Sequence, residues 1–140
     1  NNMFEFLDLV AVAAPIGIFL GRISNFINGE LVGKVTNSNW GVLFPNYDDK
    51  LRHPSQLYEA FFEGICLFFI LFFISKRFYQ SGRLFTVFVF MYAIFRFFIE
   101  FTREPDTQLG YLFLDLSMGQ YLSCLMLVFG LWWIQYEKNI

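Results

Sequence analysis

Arg96, Glu100 and Arg103 are spaced i, i+4, i+7 inside "FRFFIEFTRE", so on a helix they share one face, with Tyr92 a turn behind. A charge on a membrane helix costs about 2.5–3.5 kcal/mol near the bilayer centre and less toward the ends. Two readings stand for the arginines. They snorkel to the interface, or they form an inward stripe in which Glu100 orients Arg96 and leaves guanidinium donors for an anion. The planar guanidinium fork matches phosphate bidentately, as lysine cannot. In a bilayer the abundant phosphates are lipid headgroups.

A second cluster, "GRISNFINGELVG" from Gly21 to Gly33, follows twelve uncharged residues, Leu9 to Leu20. Asn25 and Asn28 are i, i+3, and Gly29 and Gly33 are i, i+4. On a helical continuation or a re-entrant turn the amides would reach a ligand while the glycines permit close backbone approach. The alternative is ordinary interfacial turn chemistry. A third stretch, "HPSQLYEAFFE", holds the lone histidine, His53, together with Tyr58, Glu59 and Glu63. Ser55 reads as a helix N-cap and Glu59 as a first-turn acid. Glu63 lies a turn deeper, where capping does not explain it. His53 is a surface residue or a proton carrier, given its ordinary pKa near 6.5.

These residues need elements that hold them at one end of the molecule. Hydrophobic residues are 56% of the 140, 21 of them phenylalanine, and charged residues only 16%. That is too apolar for a small water-soluble core, and a mean hydropathy of +0.49 agrees. A net charge of −2 excludes a generally basic, nucleic-acid-seeking surface. Cys66 and Cys124 sit in apolar runs without metal or redox spacing, so no metal and no cofactor is expected. No secretory signal pattern is recognisable around Val10 to Leu20.

The runs are continuous rather than alternating, which favours helices over a barrel. The expectation is an all-α polytopic transmembrane bundle, one domain over residues 1–140. Its helices fall at about 4–22 (interrupted by Pro15 and Gly17), 57–75, 84–102 and 116–136. Trp132, Trp133 and Tyr136 form an interfacial belt. A long extramembrane loop joins the first two helices, and "REPDTQLGYLFLD" from Arg103 to Asp115 is turn-rich. Following the chain, Arg22, His53, Glu63, Arg96, Glu100 and Arg103 gather at one membrane face. Lys76, Arg77, Arg83 and Lys138 go to the other. The basic count outside the buried pair is four on each side, with Lys34, Lys50, Arg52 and Arg103 opposing them, so charge alone leaves orientation open.

Together the motifs resemble the prolipoprotein diacylglyceryl transferase family. "GRISNFINGELVG" is similar to its signature and "HPSQLYEA" to a downstream segment. "FRFFIEFTREPDTQLG" resembles its late arginine-bearing helix, and "LSMGQYLS" the start of its last helix. The resemblance implies transfer of the diacylglyceryl group of phosphatidylglycerol to the lipobox cysteine of a preprolipoprotein. It implies a multi-pass protein of the bacterial inner membrane whose active face is periplasmic. Arg22 and Arg96 would act in the reaction. Asn25, Asn28, Glu30 and Gly33 would face substrate, as would His53, Tyr58, Glu63, Glu100 and Arg103. The family carries more spans than these four and a histidine–glycine motif upstream that is absent here, so the chain reads as the C-terminal part, partnered by an N-terminal portion. Two other readings are a transporter or channel fragment and a non-catalytic membrane subunit, each binding lipid or anion through Arg22 and Arg96.

Overall fold

The computed structural model of the chain describes residues 2–104 and 116–139. Four long helices lie within them: α1 at Asn2–Asn28, α2 at Ser55–Phe78 and α3 at Arg83–Thr102, and α4 at Met118–Lys138. The only strands among these residues are β1 (Val42–Leu43) and β2 (Leu51–Arg52). They pair antiparallel with Val42 opposite Arg52. The molecule is all-α, as its apolar runs require. The turn-rich stretch expected from Arg103 to Asp115 lies largely outside the described residues.

Helices α1, α2 and α3 are long and apolar enough to cross a membrane. α4 does not join them, a difference from the four spans expected. At 21 residues it is of spanning length. Gln120, Ser123, Gln135, Glu137 and Lys138 dilute its apolar character. The expected aromatic belt also divides. Trp132 and Tyr136 stack at the exposed surface, but Trp133 is buried, edge-on to Phe4 and Phe85.

α1 is longer than expected. It continues through Pro15, where one backbone donor is lost but the flanking apolar turns remain helical. It stops at Gly29, whose φ of 69° is the left-handed conformation that ends helices. The Glu30 amide donates to Asn25 O at 2.9 Å and the Gly29 amide to Phe26 O at 3.2 Å, the paired bonds of a Schellman cap. The signature asparagines therefore ride on the last turns of a helix.

α2 begins at Ser55, and Ser55 is not its cap. Pro54 occupies the capping position and the Ser55 hydroxyl donates to Leu31 O at 3.4 Å. Residues Ala60–Cys66 wind as a π-helix, a form found mostly as a local bulge at functional sites. Here Gly64 lets α1 approach: a Cβ on it would sit 2.7 Å from Phe19 Cβ. Ala11, Leu67, Leu71 and Leu84 form the buried centre of the α1–α2–α3 contact, with Phe88 and Tyr92 packed on it. Apolar packing alone fixes these helices loosely, so polar ties set their register. The start of α3 is capped from another helix: the buried Asp8 carboxylate of α1 accepts from the Gly82 amide at 2.9 Å and the Phe85 amide at 3.1 Å. Thr86 Oγ1 donates to Glu137 Oε1 of α4 at 2.9 Å, fixing the same end.

Candidate functional site

At the other end of the bundle six charged side chains converge. Glu59, one turn into α2, is 1% exposed and receives Arg22 Nε from α1 at 2.8 Å and Arg96 Nη1 from α3 at 2.9 Å. Arg103 Nη1 lies 3.8 Å from the same carboxylate. Glu63, a further turn along α2 and fully buried, stands 4.0 Å from Arg96 Nη1. Glu100 meets Arg96 Nη2 at 3.4 Å and Arg103 Nη1 at 3.9 Å. Three guanidiniums, from α1, α3 and the residue that follows α3, thus surround three carboxylates from α2 and α3.

The sequence explains why these residues meet. Glu59 and Glu63 are i, i+4 and share an inward face of α2. Arg22 sits near the last turn of α1, which runs parallel to α3, so it ends at the level of Arg96. Arg96 is committed at both terminal nitrogens. Arg22 makes its shortest contact with Glu59 through Nε. Tyr92 is a neighbour of Arg22 and Glu63 on the same side. Neither oxygen of Glu59 or Glu63 has a hydrogen bond of good geometry among the described residues, nor has Arg96 Nη1. The attraction here is between charges that retain unused hydrogen-bonding directions. Burial, followed by the nearby Arg96 charge, pulls the Arg103 guanidinium below its ordinary pKa, against the attraction of Glu59 and Glu100.

The loop from Gly29 to Pro54 roofs this cluster. Lys34 N donates to Thr102 O at 2.8 Å, Glu104 N to Val32 O at 3.1 Å, and His53 N to Lys34 O at 2.9 Å. Gly33 lies at the crossing, bridged to Arg103. A Cβ on Gly33 would collide with the His53 carbonyl and come within 2.8 Å of Thr102 O. The glycine is required there by three backbones in contact. Arg52, buried in the loop, donates to Gly33 O at 3.0 Å and pairs with Asp48 at 2.6 Å and Glu104 at 3.2 Å. The hydrogen bond from Arg52 holds the Asp48 carboxyl below its usual range, and the same bond raises the Arg52 guanidinium.

Of the residues expected from the sequence, Arg22, Glu63, Arg96, Glu100 and Arg103 are brought together. His53 and Tyr58 form a separate group on the loop side, Nδ1 to hydroxyl at 3.2 Å, with Trp40 Nε1 donating to Tyr58 at 2.8 Å. Asn25 is half-buried on α1. Asn28 is exposed and lines a separate cleft of about 240 Å³ with Phe26, Val42 and Phe44. The Glu30 side chain is exposed, and its backbone carbonyl accepts from Gln56 Nε2 at 2.7 Å. Glu59 is the residue that sequence reasoning missed by treating it as a helix-start acid. Its i, i+4 partner Glu63 in an apolar helix was the available signal, because two carboxylates on one buried face require cations.

The helical architecture and this arginine–glutamate cluster define a helical membrane protein with a buried polar cluster at one end of its bundle. The chain belongs to the prolipoprotein diacylglyceryl transferase family, whose model matches residues 1–136. It is 56% identical over 130 residues to the phosphatidylglycerol–prolipoprotein diacylglyceryl transferase of Ehrlichia ruminantium (strain Gardel), covering 89% of this chain and 50% of that protein. The relative of the same name from Wolbachia sp. subsp. Drosophila simulans (strain wRi) is 55% identical over 133 residues, 92% of this chain and 51% of its own length. That from Rickettsia bellii (strain OSU 85-389) is 51% identical over 140 residues, 95% and 52% respectively. The chain spans about half the length of the curated relatives it matches. Nothing in these matches supports the transporter-fragment or non-catalytic-subunit readings.

Proposed function

We propose that this chain supplies the phosphate-binding half of a phosphatidylglycerol–prolipoprotein diacylglyceryl transferase in the bacterial inner membrane, with the charged cluster toward the periplasmic face. The observation that carries the reading is the meeting of Arg22 and Arg96, from two parallel helices, on the single buried carboxylate of Glu59. The names of the relatives supply the donor lipid and the acceptor protein.

In the reaction the sulfur of the lipobox cysteine attacks C3 of the glyceryl group. The C3–O bond to phosphate breaks, glycerol phosphate leaves, and a thioether forms as the thiol proton is given up. Negative charge grows on the departing phosphate oxygens. Arg22 and Arg96 are placed to neutralise it. Glu59 holds both guanidiniums in register, so little reorganisation accompanies the charge shift. Glu100 and Arg103 complete the shell around Arg96. The loop stitched to the end of α3 covers the cluster on its aqueous side. The remaining length of the relatives implies a partner N-terminal portion, which would contribute the rest of the site and the proton acceptor.

The experiment is to join the chain to the N-terminal half of one such relative, reconstitute it in phosphatidylglycerol vesicles and add a lipobox peptide. Thioether formation is the expected result. Its absence in a folded, membrane-inserted protein would refute the assignment.

A further inference from the structure

The start of α4 has no part in the chemistry above, yet it touches the cluster. Ser117 caps the helix and Gln120 completes a capping box, its Oε1 accepting from the Ser117 amide at 3.0 Å. The same buried Gln120 side chain donates Nε2 to Phe97 O of α3 at 3.2 Å, which pins the first turn of α4 against the end of α3. Gly119 lies in that turn. A Cβ on it would sit 2.7 Å from Glu100 Cδ and 2.8 and 2.9 Å from the two carboxylate oxygens. Its backbone is helical and not at positive φ. Glycine is therefore unnecessary for the helix, and helix propensity favours alanine. What requires glycine is the carboxylate lying in the space a side chain would fill. A helix N-terminus also favours a nearby anion.

We propose that Gly119 is a positioning residue: it seats the Glu100 carboxylate against the first turn of α4, and through Glu100 it orients Arg96 and Arg103. For the transfer reaction, this consequence rests on the phosphatidylglycerol reading given above. The colliding group is the far end of a flexible side chain. Gly119→Ala therefore displaces Glu100 with little loss of fold, and its effect passes to the two arginines.

The test uses the same reconstituted protein, full-length, with phenylglyoxal modification followed arginine by arginine by mass spectrometry. Gly119→Ala is expected to raise the labelling rate of Arg96 and Arg103 by about threefold or more, because both arginines contact the displaced Glu100. Arg77, exposed at the other end, keeps its rate. In a Glu100→Ala background the same substitution adds nothing. In the transfer assay kcat falls while the thermal midpoint holds. Unchanged labelling in Gly119→Ala, or an equal rise in the Glu100→Ala background, overturns the proposal. If Gly119→Ala alone fails to fold, the double variant with Glu100→Ala must recover; failure of both also overturns it. Labelling reports on the seat even where no transfer is detected, so loss of the functional reading and loss of this proposal are distinguishable.

Discussion

The two ends of the helical bundle treat buried carboxylates in opposite ways. At one end Asp8 is fully buried and satisfied by the backbone, with one oxygen on the Gly82 amide and the other on the Phe85 amide. The basic residues near that end, Lys76, Arg77 and Arg83, are exposed and have no carboxylate within 4 Å among the described residues. Arg77 and Arg83 instead lie over the Phe78 ring. At the other end Glu59 and Glu63 are as deeply buried, but they face guanidiniums with directions unused. A carboxylate held by two amides of a helix start is complete, and its role is architectural. A cluster of opposite charges with unmet hydrogen bonds is costly as architecture alone. That contrast is the ground for proposing the second end as the place for chemistry.

The largest effect is expected from removing the hub of the charged end. Glu59→Ala leaves Arg22 and Arg96 without their shared partner and is expected to destabilise the protein by about 3–5 kcal/mol. Chemical or thermal unfolding in detergent reads this directly. A loss of under about 1 kcal/mol, the range of an exposed pair, would mean that the cluster is a solvated surface feature.

Gly33→Ala breaks the roof of the same end. Its Cβ meets two backbone carbonyls, which cannot swing away as a side chain can, and overpacking of this kind costs about 1–3 kcal/mol. Hydrogen exchange should show early opening at the Lys34 and Glu104 amides, while the Gly82 and Phe85 amides at the far end keep their protection. Equal loss at both ends would dissolve the distinction between them.

Asp8→Ala tests the architectural end. Loss of a capping side chain costs about 0.5–2 kcal/mol, so the unfolding midpoint should fall modestly. Transfer per folded molecule in the reconstituted enzyme should be unchanged. A large fall in turnover at intact stability would give Asp8 a role in the reaction.

The smallest effect is a pH dependence in the loop. Asp48 has its folded pKa lowered from 3.8, chiefly by the hydrogen bond from Arg52. A depressed carboxylate stabilises fully above its unfolded pKa, and that stability is lost as pH falls through the lower folded value. Protection of the Lys50 amide, which donates to Asp48 Oδ1, measured relative to its intrinsic exchange rate at each pH, should therefore fall in acid. Asp48→Asn should abolish that acid response.

Much of this was legible in the residues themselves. Continuous apolar runs gave the helices, and chain direction gave the gathering of Arg22, Arg96 and Glu100 at one end. Other features depend on distance in space. Glu59 reads locally as a helix-start acid and becomes a hub only when α1 and α3 approach it. Gly33 reads as a permissive glycine and Gly119 has no local signal, although what demands them is the His53 carbonyl in one case and the Glu100 carboxylate in the other. Arg52 counts as one more loop charge until the loop folds it onto Asp48 and Glu104. Local sequence reports periodicity and turn chemistry, and it is silent on which distant backbone fills the space beside a residue.

The central proposal is that Arg22 and Arg96 together neutralise the phosphate of the donor lipid, whereas the basic residues of the other end do not. The most direct measurement is the rate of thioether formation on a lipobox peptide by the reconstituted enzyme in phosphatidylglycerol vesicles. It compares Arg22→Lys and Arg96→Lys with Lys76→Ala and Arg77→Ala. Lysine keeps the charge and loses the fork. The account predicts losses of about a hundred- to a thousand-fold for each arginine variant, and near-normal turnover for the two controls. Near-normal turnover for both lysine variants, with folding intact, would contradict it and return the arginines to the role of interfacial anchors.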